Sequence, residues 1–355
     1  MNRRLVRVAV LLLCLLAFPR ETPAPVIYTP GEGWSYEPVE GGGKWRRNRA
    51  KAQVEVAQEA FTAGKYKLAY KAARRTVKVW PLSDYAAQAQ YMMGRCREAR
   101  TQDKLAFEEY QKVLDLYPKV ENFDEIIERQ FAIANRFLAG QWFKIWGYIP
   151  FFASMEKTAA MYGDIIENGP YSEVAPASQM NIGSAKENQS LYSEAVKAYE
   201  KAADRYHDRK QVAADARFRA GLAYTKQART ADYDQNVAGQ AIATFTDFMA
   251  LYPDDKRVEQ ASDLITSLRE EQAHGSFRIA QFYEKKKRWD GALVYYNDVL
   301  VKNPDSIFAD SAKERIDAIR LQVEPTEPGL LEDIAPAEEG LGESQAKTPA
   351  PAETE

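Results

Sequence analysis

Cysteine and histidine are scarce in this sequence, with two of each among 355 residues. Cys14 and Cys96 cannot build a disulfide framework. With no histidine near it in sequence, Cys96 reads as a small buried hydrophobe on a helix rather than a reactive thiol. His207 and His274 lie far apart and lack the spacing that puts two ligands on one helix face, so no zinc site is expected. An excess of one charge is missing too: 48 Lys and Arg stand against 51 Asp and Glu, which gives no general attraction to polyphosphate, and nucleic acid is not an expected partner. No Gly-rich phosphate loop follows a strand, and no Gly-x-Ser-x-Gly elbow is present. The acid pairs Glu108-Glu109, Glu270-Glu271 and Asp254-Asp255 adjoin other charges, as solvated acids on helix exteriors and turns do. Neither catalysis, nor a metal, nor a cofactor is expected.

What is present is the composition of a folded protein, 45% hydrophobic and 28% charged, enriched in Tyr and Phe. Arg3, Arg4 and Arg7 precede an apolar run from Val8 to Phe18, the layout of an export signal. That run has 11 residues, about half the roughly 20 that a bilayer-crossing helix needs. Residues 1–24 are therefore assigned as a signal peptide. Within them Cys14 is a candidate lipidation site, although Leu13 stands where a lipoprotein signal has Gly, Ala or Ser. Residues 25–48, with Gly41, Gly42 and Gly43 in succession, read as an extended Pro/Gly-rich linker. Residues 323–355 carry nine acidic residues against Lys347 alone and read as a disordered acidic tail.

Between these lies a ruler. Gly94, Ala106, Tyr110 and Pro118 are spaced 12, 4 and 8 apart, and Ala280, Ala292, Tyr296 and Pro304 repeat the intervals. Ala57, Ala69, Ala73 and Pro81 match them, as do Gly183, Ala195 and Tyr199, with His207 in place of the proline. Two further copies need an insertion. Gly221 to Ala241 is 20 residues, followed by Phe245 and Pro253, and Ala134 to Thr158 is 24, followed by Tyr162 and Pro170. Both insertions are expected in the turn inside a hairpin, where extra length disturbs packing least. Small residues at the Gly94 and Ala106 positions let two helices approach closely; the aromatic at the Tyr110 position is expected to fill the gap toward the next hairpin.

This ruler resembles the tetratricopeptide repeat, a helical hairpin of 34 residues. It implies an all-α, right-handed superhelical solenoid over 49–322: hairpins at 50–81, 84–118, 124–170, 174–207, 212–253 and 273–304, and a capping helix at 306–322. The first helices would line a concave binding face, presenting Lys51, Val54, Gln58, Gln88, Tyr91, Arg95 and Glu98 to a partner. Arg46, Arg47, Arg49 and Lys51 gather where the first helix begins, either as a site for a partner's carboxylates or as solvated chain. The insertion "GQWFKIWGYIPFFAS" holds Trp142, Phe143, Trp146, Tyr148, Phe151 and Phe152, either a docking patch or a lid folded onto the solenoid.

The phrases "RAGLAY", "TADYDQ" and "QAIATFTDFMALYPDD", followed by "LREEQAHGSFRIAQFYEKKKRWDGALVYYNDVLVKNPDS", narrow the resemblance. In the last, Ala280, Phe282, Tyr283, Trp289, Ala292 and Pro304 carry it. The chain resembles the BamD family, the periplasmic tetratricopeptide component of the machinery that assembles outer-membrane β-barrels, over Ala52 to Leu321. The resemblance implies a non-enzymatic scaffold at the inner face of the outer membrane. Its partners would be an Omp85-type barrel-assembly subunit and unfolded outer-membrane β-barrel proteins, and it would be membrane-associated through those partners or a lipid anchor. Leu13, six repeats rather than five, and the two long tails depart from the family pattern. Two other readings are a periplasmic adaptor of Tol-Pal or cell-division type and the helical part of a lytic transglycosylase.

Overall fold

Ala50, Val54, Ala57 and Ala60 fall three or four residues apart and are all buried, which gives their helix one apolar stripe. The computed structural model describes residues 26–29, 33–36, 45–145, 149–230 and 235–322, and helices dominate it. Six hairpins follow one another: α1 (Ala50–Thr62) with α2 (Tyr66–Val79), α3 (Tyr85–Glu98) with α4 (Asp103–Leu116), and α5 (Phe123–Leu138) with α6 (Met155–Asn168). Then come α7 (Ala175–Glu187) with α8 (Tyr192–Arg205), α9 (Lys210–Thr230) with α10 (Gln235–Leu251), and α11 (Val258–Lys285) with α12 (Trp289–Lys302), closed by α13 (Ala309–Gln322). Each helix packs on the one before and the one after. Beyond these neighbours, α1 meets α3, α5 meets α7 and α7 meets α9. Crowding of first helices against first helices curves the stack toward them, and the molecule is an all-α solenoid.

The punctuation is local. Five first helices end on a residue with positive φ: Gly64, Thr101, Gly140, Ser190 and Lys287. The next amide then reaches back to a carbonyl five residues earlier, as Lys65 N does to Ala60 O at 2.8 Å and Leu191 N to Lys186 O at 3.0 Å. Second helices stop two residues before proline at Val79, Leu116, Asn168, Leu251 and Lys302.

Several expectations are corrected. The aromatic at the Tyr110 position shares a core with the next hairpin, as Tyr110 does with Ile126 and Ile133, and its ring also lies over the small residue of its own hairpin, which the spacing does not show. A Cβ on Gly94 would stand 2.4 Å from the Tyr110 ring, one on Gly183 2.4 Å from Tyr199, and one on Gly221 2.6 Å from Phe245. Glycine is there to admit the ring. The insertion in the third hairpin does fall in the turn, where β3 (Phe143–Ile145) pairs antiparallel with β4 (Ile149–Phe152). The insertion in the fifth does not: α9 runs nine residues past Gly221 where α3 runs four past Gly94, and α10 starts six before Ala241 where α4 starts three before Ala106. Both helices simply lengthen, keeping each added amide hydrogen-bonded.

The sixth hairpin begins at Val258, not 273. Its first helix gains about four turns, and four turns of about 3.6 residues return the same stripe to the core. The early half of α11, Ala261, Ile265 and Leu268, packs into the core of α9 and α10, while Ala273 and Ala280 pack with α12 and α13. Inside the 25–48 linker, β1 (Val26–Thr29) pairs antiparallel with β2 (Gly33–Tyr36), so this stretch is not a plain extended tether. Its β-branched and aromatic residues around Pro30 and Gly31 favour a hairpin. Residues 1–24 with Cys14, and 323–355, lie outside the described residues.

Candidate protein-interaction face

The second, fourth and sixth hairpins are each built around a buried polar clasp that hydrophobic spacing alone does not reveal. Tyr110, Tyr199 and Tyr296 are fully buried, and each donates its hydroxyl to a glutamate four residues past the small residue of its own hairpin. The pairs are Tyr110 to Glu98 at 2.8 Å, Tyr199 to Glu187 at 2.7 Å and Tyr296 to Glu284 at 2.6 Å. A cation from the next first helix completes each: Arg129 at 3.3 Å from Glu98, Lys226 at 2.5 Å from Glu187, and Arg315, whose Nε is 3.3 Å from Glu284. Burial pushes the Tyr199 hydroxyl up to about 12 and, with the Glu98 charge beside it, pushes Tyr110 up as well. Both therefore stay neutral donors at physiological pH. A glutamine four residues before the small residue also recurs. Gln90 donates to the Glu109 backbone carbonyl at 3.2 Å and its carboxylate at 2.7 Å, and Gln179 donates to the Ala198 carbonyl at 3.1 Å.

On the first-helix face these clasps join into a network. The Tyr91 hydroxyl donates to Glu125 at 2.5 Å and accepts from Arg95 at 3.2 Å and Arg129 at 3.0 Å. Arg136 bridges Glu98 at 3.2 Å and Asp103 at 2.8 Å. Arg95 lies 3.8 Å from Glu125 and 5.3 Å from the Phe61 ring, touching α1, α3 and α5 in turn. Partial burial pushes the Glu125 carboxyl up, but hydrogen bonds from Tyr91 and Arg129 outweigh it and the net shift is down. Burial, followed by the bond to Glu125, raises Tyr91. Three guanidinium groups thus face three carboxylates.

The candidate residues do not share one fate. Lys51 and Gln88 are exposed, while Gln58, Tyr91, Arg95 and Glu98 are half-buried. Val54 is corrected: it is 2% exposed and packs with Ala72, Ala73, Ala89 and Met93, so no partner can touch it. Glu98 serves Tyr110, Arg129 and Arg136, and Arg95 already has Glu125, so a partner's carboxylate must compete for it. Glu109, read as solvated, is buried between Gln90 and Tyr70. In the insertion, Phe143 is corrected from docking patch to core: it is 4% exposed and stacks on Phe137 with centroids 4.1 Å apart. Trp142 is exposed. Trp146 and Tyr148 lie outside the described residues, and Phe151 and Phe152 belong to β4. Cys96 is buried, which pushes its thiol up to about 12, as suits an inert core residue. Gln90, Glu125, Arg129, Arg136 and Asp103 were not foreseen, although the pattern Gln-x-x-x-Gly-x-x-x-Glu at 90–98 and again at 179–187 carries part of the signal. Among the described residues no helix is long and apolar enough to cross a membrane.

Stacked hairpins with a crowded first-helix face define a tetratricopeptide-repeat protein, and residues 88–119 match the tetratricopeptide repeat model. Residues 154–321, from the end of the insertion through α13, match the YfiO family of outer membrane lipoproteins, which is the BamD family the sequence resembles. No curated protein matches this sequence. Similar solved structures include the C-terminal part of a TPR repeat-containing protein from Cytophaga hutchinsonii, 14% identical over 75% of this chain and 88% of that one, with a TM-score of 0.36. MamA from Desulfovibrio magneticus RS-1 is 14% identical over 58% of this chain and 97% of its own, at a TM-score of 0.31. PilF of Pseudomonas aeruginosa is 12% identical over 75% and 97%, at 0.28.

Proposed function

We propose that this protein is a non-enzymatic scaffold of the cell envelope that binds partner subunits and unfolded β-barrel proteins during outer-membrane assembly. The match of residues 154–321 to an outer membrane lipoprotein family carries the reading. The first-helix face supplies its chemistry. Exposed Lys51 and Gln88, with Gln58, Tyr91 and Arg95 beside them, offer charge and hydrogen bonds at helical intervals to a chain in extended conformation, whose own backbone groups need partners. Glu125 holds both Tyr91 and Arg95, which also bond each other, so little side-chain freedom remains to be lost on binding. The partners are an Omp85-type barrel-assembly subunit and its clients, and the site of action is the periplasmic face of the outer membrane.

The test uses the full chain and a fluorescent peptide copied from the terminal strand of an outer-membrane barrel. Replacing Gln88 and Arg95 together by Ala removes one amide and one cation, and about tenfold weaker binding is expected from roughly 1.4 kcal/mol. Unfolding curves of the variant control for stability. Unchanged peptide affinity in a folded variant sinks this face as the binding site.

A further inference from the structure

The turn between α11 and α12 carries four cations in succession, Lys285, Lys286, Lys287 and Arg288, all exposed. The C-terminal dipole of α11 accounts for Lys285. It does not account for the other three, which lie past the helix end and repel one another. Lys287 also occupies the left-handed position, with φ 55°, where the first and third hairpins place Gly64 and Gly140. A side chain with a Cβ is disfavoured there, so the turn keeps a cation where glycine is easier. None of the four is ion-paired among the described residues; Glu284 is taken by Arg315 and Tyr296, and Asp290 sits at the start of α12, exposed. Beside them Phe282 is 58% exposed, with the Lys286 amine 5.9 Å from its ring centroid.

The complementary charge is on this same chain. Arg315 reaches Glu284, so α13 runs alongside the end of α11, and Gln322 is seven residues further on, about 10 Å along the helix. The sequence then places Glu324, Glu327, Glu332 and Asp333 around Leu330, Leu331 and Ile334, followed by Glu338 and Glu339. A length of ten residues past Gln322 has a reach of about 16–19 Å, enough to return to the turn. We propose that the acidic segment 324–339 docks on the cationic turn 285–288 of its own chain, with Leu330, Leu331 and Ile334 against Phe282. Tethered so near, it competes at high effective concentration with any external acidic segment or anionic surface that approaches this edge of the solenoid.

Carbodiimide coupling of the full chain at two protein concentrations, with the linked peptides read by mass spectrometry, tests this. Amide links between Lys285, Lys286 or Lys287 and the acids of 324–339 are expected within the monomer, in a yield independent of concentration. The yield falls at least about fivefold near 1 M salt, where screening acts over about 3 Å. The pair Lys286→Glu and Lys287→Glu abolishes links at those positions, and adding Glu332→Lys and Asp333→Lys restores them with polarity exchanged. Links to 285–288 that are absent, that join two copies, or that survive the charge swap unaltered overturn the proposal. So does equal binding of phosphatidylglycerol vesicles by the wild-type chain and the Glu332→Lys, Asp333→Lys chain, since the turn would then be open to lipid irrespective of the segment.

Discussion

Gly94 shows how one hydrogen in place of a methyl sets the distance between two helices. The Tyr110 ring above it is fully buried and its hydroxyl is tied to Glu98, so the ring cannot swing aside for a new Cβ at 2.4 Å. Overpacking of this kind costs about 1–3 kcal/mol, against at most about 1 kcal/mol gained in helix propensity. Gly94→Ala is therefore expected to lower stability. Gly163, inside α6 with nothing within 4 Å of its would-be Cβ, supplies the contrast: Gly163→Ala is expected to raise stability by up to about 1 kcal/mol. Urea unfolding of the two variants checks both signs, and a neutral Gly94→Ala would refute the close-contact account. The small residue was legible at this scale as a gap in a pattern. What fills the gap was not, because a ring from the same hairpin and one from the next obey the same spacing.

Between residues and whole helices, the recurring unit is tyrosine, glutamate and a cation from the next repeat. It fastens the second, fourth and sixth hairpins internally and to the helix that follows with the same carboxylate. A hydrogen bond to a charged group contributes about 1.5–3 kcal/mol, so Tyr199→Phe should cost about that much by urea unfolding. Glu187→Gln should cost at least as much, since it also removes the charge that pairs with Lys226. If Tyr199→Phe unfolds at the wild-type midpoint, the clasp is ornamental. The sequence does spell this unit: Gln90, Gly94 and Glu98 are matched by Gln179, Gly183 and Glu187. It escapes a reading based on apolar period because its polar members are buried, and polar residues at helical spacing ordinarily mark a solvated face. Val54 and Glu109 were misplaced for the same reason: which side of a half-exposed helix meets a neighbour depends on the neighbour.

Across the molecule, stability in a solenoid is carried by nearest-neighbour contacts, so distant hairpins are ordinarily able to open separately. Helix α11 is the exception, since one continuous rod supplies side chains to two successive cores. Hairpins five and six and the cap are therefore expected to open as one unit. Tyr296→Ala should lower hydrogen-exchange protection along 237–248 as well as 289–319, while protection along 50–79 stays as in the wild type; loss confined to 289–319 would count against the coupling. The repeat follows from residue order, because helix stripes, stop prolines and small residues are local patterns that every hairpin must satisfy alone. Packing between helices sets where the inserted residues go, starts α11 at Val258, and engages Glu98 and Arg95 within the chain. Helix length and ion pairing are settled by what packs alongside, and residues 30 to 40 positions away in the chain supply it.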